Sequence, residues 1–93
     1  MPVALIAPTV SATNSADFTV TATAPVNIGL YVAAGGGLSG EVVVSIERKN
    51  PSATYGSTGL SISGSQTNMV VTAPGVYRAV KPATTLAVGV QTD

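Results

Sequence analysis

Gly35, Gly37 and Gly40, in the stretch YVAAGGGLSGEVVVSIE, spell G-x-G-x-x-G directly after an apolar run. In a dinucleotide-binding turn such glycines bring backbone N–H groups against a pyrophosphate. That chemistry needs two further parts: a helix opening right after the loop, and an acidic residue about 20 positions on for the ribose. Here the loop runs into EVVVSI, a β-branched alternating segment, and no Asp or Glu lies between Arg48 and Lys81. A G-x-x-x-x-G-K phosphate loop is excluded too, because Glu41 follows Gly40. The pattern therefore reads as a connection between two antiparallel strands, or as a contact loop in which Gly35, Gly36, Gly37 and Leu38 meet a partner.

Other chemistry is equally short of parts. The chain has neither His nor Cys, so the usual general base, thiol nucleophile, disulfide framework and thiolate metal site are all missing. No Ser stands in S-x-x-K spacing with a lysine. Glu41 and Glu47 would share a strand face about 20 Å apart, whereas a glycosidase pair needs roughly 5–9.5 Å. They read as solvated residues that keep one face wet. Asp17 and Asp93 stand alone, without the clustered oxygens of a Ca²⁺ site. The expectation is a non-enzymatic chain with no catalytic residues, no cofactor and no metal.

Composition narrows the partners. Of the 93 residues 9% are charged, and four basic side chains cancel four acidic ones, against a usual charged share of about 25%. Arg48, Lys49, Arg78 and Lys81 form two separated pairs, too few to neutralise a run of phosphates or to hold an anionic membrane. No nucleic-acid or membrane partner is expected. No run approaches the roughly 18 apolar residues of a membrane helix, and MPVALIAPTV lacks the basic region and apolar length of a signal peptide. The expectation is a chain made in a cytoplasm and used unprocessed. Apolar residues make up 45% of it but aromatics only 4%, so the core is built from small side chains. A thin core and a weakly charged surface favour life in an assembly.

The elements that must position these residues are strands. Phe18, Val20 and Ala22 alternate with threonines in DFTVTATA, and Val26, Ile28, Leu30 and Val32 alternate with Asn27, Gly29 and Tyr31. Val42, Val44 and Ile46 share one face of EVVVSIER, Leu60 and Ile62 one face of LSIS, and Leu86, Val88 and Val90 one face of TLAVGV. NMVVT and VYRAV complete the set, with Gly, Pro, Asn and Ser breaks between the runs. No helical period is sustained; a single helical turn near the N-terminus is all the sequence allows. The fold expected is all-β, a small antiparallel β-sandwich of about 6 to 8 strands, immunoglobulin-like or jelly-roll-like, or else a small barrel. Residues 10–93 form its single domain. Residues 1–9, with Val3, Leu5 and Ile6 between two prolines, form either an edge strand or an arm laid on a neighbouring subunit.

Three further readings concern the surface. Tyr77 stands where sandwiches place a tyrosine whose hydroxyl ties back to a corner backbone group. If Tyr77 and Ala79 point inward, Val76, Arg78 and Val80 share an outward face, an arginine flanked by exposed valines of the kind found at interfaces. In the reverse phase the valines are core and Arg78 reaches out from an edge. Tyr31 and Tyr55 are amphipathic contact candidates that more often cap a sandwich edge than bind a ligand.

The ordered set DFTVTATAPVNIGLYV, VVVSIERKNPSATY, APGVYRAVKP and LAVGV, spanning Asp17 to Val90, resembles small β-rich virion proteins of tailed bacteriophages. KNPSATY and PGVYRAVKPA carry most of the likeness. In size and composition the chain is similar to capsid decoration, or cement, proteins, which sit on the outer shell and lock neighbouring subunits, often as trimers. The resemblance implies a virion location on the capsid surface and synthesis in the host cytoplasm. It implies as partners the major capsid protein or another virion protein, with further copies of the chain itself. The alternative is a carbohydrate-binding or adhesive immunoglobulin-like module of a head fibre, tail or cell surface.

Overall fold

The computed structural model describes residues 3–32, 42–84 and 87–92. Nine strands follow in order: β1 (Val3–Thr9), β2 (Thr13–Asn14), β3 (Phe18–Val20), β4 (Val26–Val32), β5 (Val43–Lys49), β6 (Tyr55–Ser63), β7 (Asn68–Val71), β8 (Gly75–Lys81) and β9 (Val88–Thr92). β2 and β3 both pair with β8 and act as one interrupted strand. No helix occurs among the described residues, so the helical turn allowed near the N-terminus is not formed there.

The winding is read from the pairing. Doubled back at the β5–β6 hairpin, the chain makes nested antiparallel pairs: β5 with β6, β4 with β7, β2 and β3 with β8, and β1 with β9. Successive pairs alternate between layers, which gives one sheet in the order β1-β9-β4-β7 and another in the order β2-β8-β5-β6, with β3 also on β8. A double ribbon rolled into two facing sheets in this way is a jelly roll. Of the two sandwich types expected, the strand order selects this one. Residues 3–9 are the edge strand of the four-stranded sheet, paired along their length with β9.

The core follows from period two. Val42, Val44 and Ile46 are all under 5% exposed, and so are Ile28, Ile62, Val71, Val88 and Val90, while Leu30 is at 6%. Each of these large aliphatic side chains contributes roughly 1.5–3 kcal/mol by leaving water. Phe18 and Tyr77, opposite one another on β3 and β8, stack with ring centroids 5.9 Å apart at 28°. Tyr77 then donates its hydroxyl to the Ala73 carbonyl at 2.7 Å, closing the β7–β8 corner.

Three expectations are corrected. The run from Phe18 to Ala24 is a strand only as far as Val20; Thr21 and Ala24 close a tight turn, with Ala24 N–H on Thr21 O at 3.2 Å, that sends the chain to the other sheet. Leu60 does not join Ile62 in the core: it is 37% exposed while Ile62 is fully buried. Between the pairs Ser45↔Ser61 and Glu47↔Ser57, β6 carries two residues more than β5, and this bulge, with Gly59 at φ +77°, lifts Leu60 out. Ile6, read as a candidate contact residue, belongs to the core at 4% exposed, because β1 pairs with β9 and sets Ile6 opposite Val90.

Candidate functional site

The outer face of the five-stranded sheet brings Arg78, Glu47, Lys49 and Asp17 together beside the exposed Val43. Since Tyr77 and Ala79 of β8 are buried at 2% and 0%, alternation turns Val76, Arg78 and Val80 outward, the first of the two phases weighed above. Register then sets Glu47 of β5 directly across from Arg78, and Ser45 across from Val80. Arg78 approaches one carboxylate oxygen with two nitrogens, Nε at 2.8 Å and Nη2 at 2.7 Å from Glu47 Oε1. Tyr55, rooted on the edge strand β6, covers this pair, its ring centroid 3.7 Å from the guanidinium carbon. Its hydroxyl donates to Asp17 Oδ1 at 2.6 Å, and Lys49 holds the other Asp17 oxygen at 3.5 Å.

The electrostatics are closed on themselves. An exposed ion pair contributes about 0–1 kcal/mol; the Arg78–Glu47 pair is partly buried and covered by an aromatic ring, which favours the upper part of that range. The hydrogen bond to Asp17, with a smaller contribution from burial, raises the Tyr55 hydroxyl above its ordinary pKa of 10.0. Around the network lie Val43, 43% exposed, and the half-buried Val76 and Val80. Val43, Val80, Asn14 and Ser45 line one shallow open depression across β2, β8 and β5. The result is a rigid, charge-balanced, partly apolar plate.

The opposite face is built on another tyrosine. Tyr31 of β4 lies over Gly89 of β9 and reaches the Ile6 carbonyl of β1 at 3.4 Å. A Cβ on Gly89 would stand 2.7 Å from the Tyr31 ring and 2.6 Å from that carbonyl, so the glycine makes room for the ring. Tyr31 thus spans three strands, as a cap on the sheet.

The remaining sequence candidates are scattered. Val3 is 59% exposed at the outer end of β1, and Leu5 packs partly against the core. Neither adjoins the Arg78 plate, since β1 belongs to the other sheet. Gly35, Gly36, Gly37 and Leu38, together with Glu41, Leu86 and Asp93, lie outside the described residues. Sequence reasoning passed over Asp17 as isolated and Glu47 as merely solvated. Their partners are 38 and 31 positions away, and only sheet register brings them together. Among the described residues no three metal-ligating side chains gather.

Buried Lys81 has a different role. At 1% exposed it ends β8 on the inward phase and donates to Ser11 O at 3.1 Å, Pro82 O at 3.0 Å and Thr84 Oγ1 at 3.1 Å. It pins the β1–β2 connection to the segment after β8, and burial lowers its pKa from the ordinary 10.5. Comparison with known proteins gives no match: no family model, curated protein or solved structure corresponds to this chain.

Proposed function

We propose that this chain is a non-enzymatic structural protein of a bacteriophage virion, a capsid decoration protein that binds the assembled shell and stabilises it. One observation carries the reading: the outer face of the five-stranded sheet, where Val43, Val76 and Val80 surround an Arg78–Glu47 pair already neutralised within the chain. Such a plate gains free energy by covering apolar surface and offers little to a polyanion, because Arg78 and Lys49 are each matched by a carboxylate. The jelly-roll winding, frequent in capsid and lectin domains, agrees with the reading by analogy only.

The mechanism is linkage. A protein that binds the assembled lattice and not its separated subunits raises shell stability in proportion to RT ln(1 + [L]/Kd). Copies of the chain bridging neighbouring capsid subunits, as trimers in the arrangement the resemblance implies, would add multivalent attachment to it. The adhesive alternative has less to draw on: the Tyr31 and Tyr55 rings, the flat surfaces a sugar would stack on, are each engaged by the chain itself.

Mass spectrometry of purified particles is the test, with copy numbers in fixed ratio to the capsid subunit as the expected result. Val80→Asp, on the plate, should weaken attachment to stripped shells about tenfold with little change in Tm. Particles that lack the chain, or stripped shells that fail to retain it, would overturn the proposal.

A further inference from the structure

Arg48 is an exposed side chain where the β5–β6 hairpin meets the β7–β8 corner. Its guanidinium lies across Gly75, where a Cβ would come within 2.9 Å of Nε, so a side chain there would push the guanidinium aside. Nη2 donates to the Pro74 carbonyl at 3.0 Å, and the group lies 5.9 Å from the Tyr77 ring centroid. One of its five N–H donors is thereby used. Among the described residues no carboxylate lies within ion-pair distance of Arg48, whereas Arg78 and Lys49 each have one.

The space beside it is concave. Arg48, Asn50, Ser57, Leu60, Ala73 and Tyr77 line an open cleft, with Gly56 and Thr58 completing its wall. The β6 bulge shapes that wall: Gly59 at φ +77° lets the extra residues fold out, and Leu60 leaves the core phase to face the cleft. The Ser57 hydroxyl accepts from Gly59 N–H at 3.3 Å, and its pairing with Glu47 sets that side chain on the outer face of the sheet. The bulge thus borders an open cleft of mixed polar and apolar lining, in which Arg48 is the one charged side chain. Bulges re-aim side chains at sites in this way, and few convergent polar groups in a partly apolar concavity mark a ligand position.

We propose that this cleft receives a carboxylate side chain from a protein partner, held by the free edge of the Arg48 guanidinium, with Leu60 against the carboxylate's methylenes. Charge complementarity selects the occupant: one planar guanidinium with no second cation in the cleft suits a monoanionic carboxylate better than a phosphate dianion. The inference rests on the capsid reading for its partner, an acidic side chain of the shell. The cleft itself is independent of that reading.

The test uses the two arginine Nε–H resonances of the intact chain, with Arg78, already bound to Glu47, as internal control. Propionate should move the Arg48 signal saturably and leave Arg78 in place. Propionamide and chloride at equal concentration should move neither, and Arg48→Lys should abolish the effect in the Ser57 amide signal. No movement, equal movement with chloride, or clearly tighter binding of glucuronate than propionate would each overturn the proposal, the last by pointing to a sugar acid. On stripped shells Arg48→Lys, which keeps the charge and the fold, should lose about tenfold in attachment; wild-type-like attachment would overturn the shell carboxylate as occupant. If the wild type fails to bind shells while propionate still saturates Arg48, the capsid reading falls and the carboxylate cleft stands.

Discussion

Each of the three tyrosines ties its strand to another segment through its hydroxyl. Tyr77 shows it most directly, since its hydroxyl supplies the corner carbonyl of Ala73 with a donor at 2.7 Å. Tyr77→Phe keeps the ring packing against Phe18 and removes only that bond, so a loss of about 1 kcal/mol is expected from denaturant midpoints. Titrating residues give a second check at this scale. Burial lowers the Lys81 pKa from 10.5, so between the lowered value and 10.5 the unfolded chain binds more protons and stability rises with pH. Tyr55 acts in the opposite sense. The hydrogen bond it donates to Asp17 raises it above 10.0, so its contribution is complete below 10.0 and is lost as pH climbs through the folded value. Urea midpoints measured from about pH 7 to 11 should lose the rise in Lys81→Met and the alkaline fall in Tyr55→Phe.

Among the elements, the β5–β6 hairpin shows what a sequence can and cannot disclose. KNPSATY is legible as a turn, and it folds as one: Ala53 N–H bonds Asn50 O at 2.9 Å, and Asn50 N–H bonds Thr54 O at 2.7 Å. The left-handed φ of 65° at Ala53 is not legible, because alanine there is an exception to the usual glycine or asparagine. Ala53→Gly should therefore stabilise the chain by about 0.5–1 kcal/mol, read as a higher Tm. Strand phases were legible from Val26 to Val32 and from Val42 to Ile46, where period two runs through a real strand. They failed at Leu60, where a bulge that no local pattern announces shifts the register. The site was legible only in part: Val76, Arg78 and Val80 could be grouped by alternation, but Asp17, Glu47 and Arg48 take their roles from strands distant in sequence. Gly89 was read only as a strand position, yet its missing side chain makes room for Tyr31. Gly89→Ala should cost about 1–3 kcal/mol, and removing the Tyr31 ring should not fully restore it, because the Ile6 carbonyl is just as close.

At the scale of the whole molecule, the edges are as informative as the faces. β1 shifts register twice against β9, β6 carries its bulge, and the β2–β3 edge is interrupted. Broken edges discourage strand addition from a second chain at β1, β6 and β2–β3, whereas β7, the remaining edge, pairs with β4 without a register shift. A thin aliphatic core, a low share of charged residues and a plate of valines around a neutralised ion pair are the features on which the proposed decoration role rests. Electron microscopy of the intact phage particle tests that account most directly. The account predicts a two-sheet density of this size on the outer capsid lattice, with the Val43–Val80 plate or the Arg48 end against the shell. A lattice bare of such density, in particles from cells that make the protein, would contradict it.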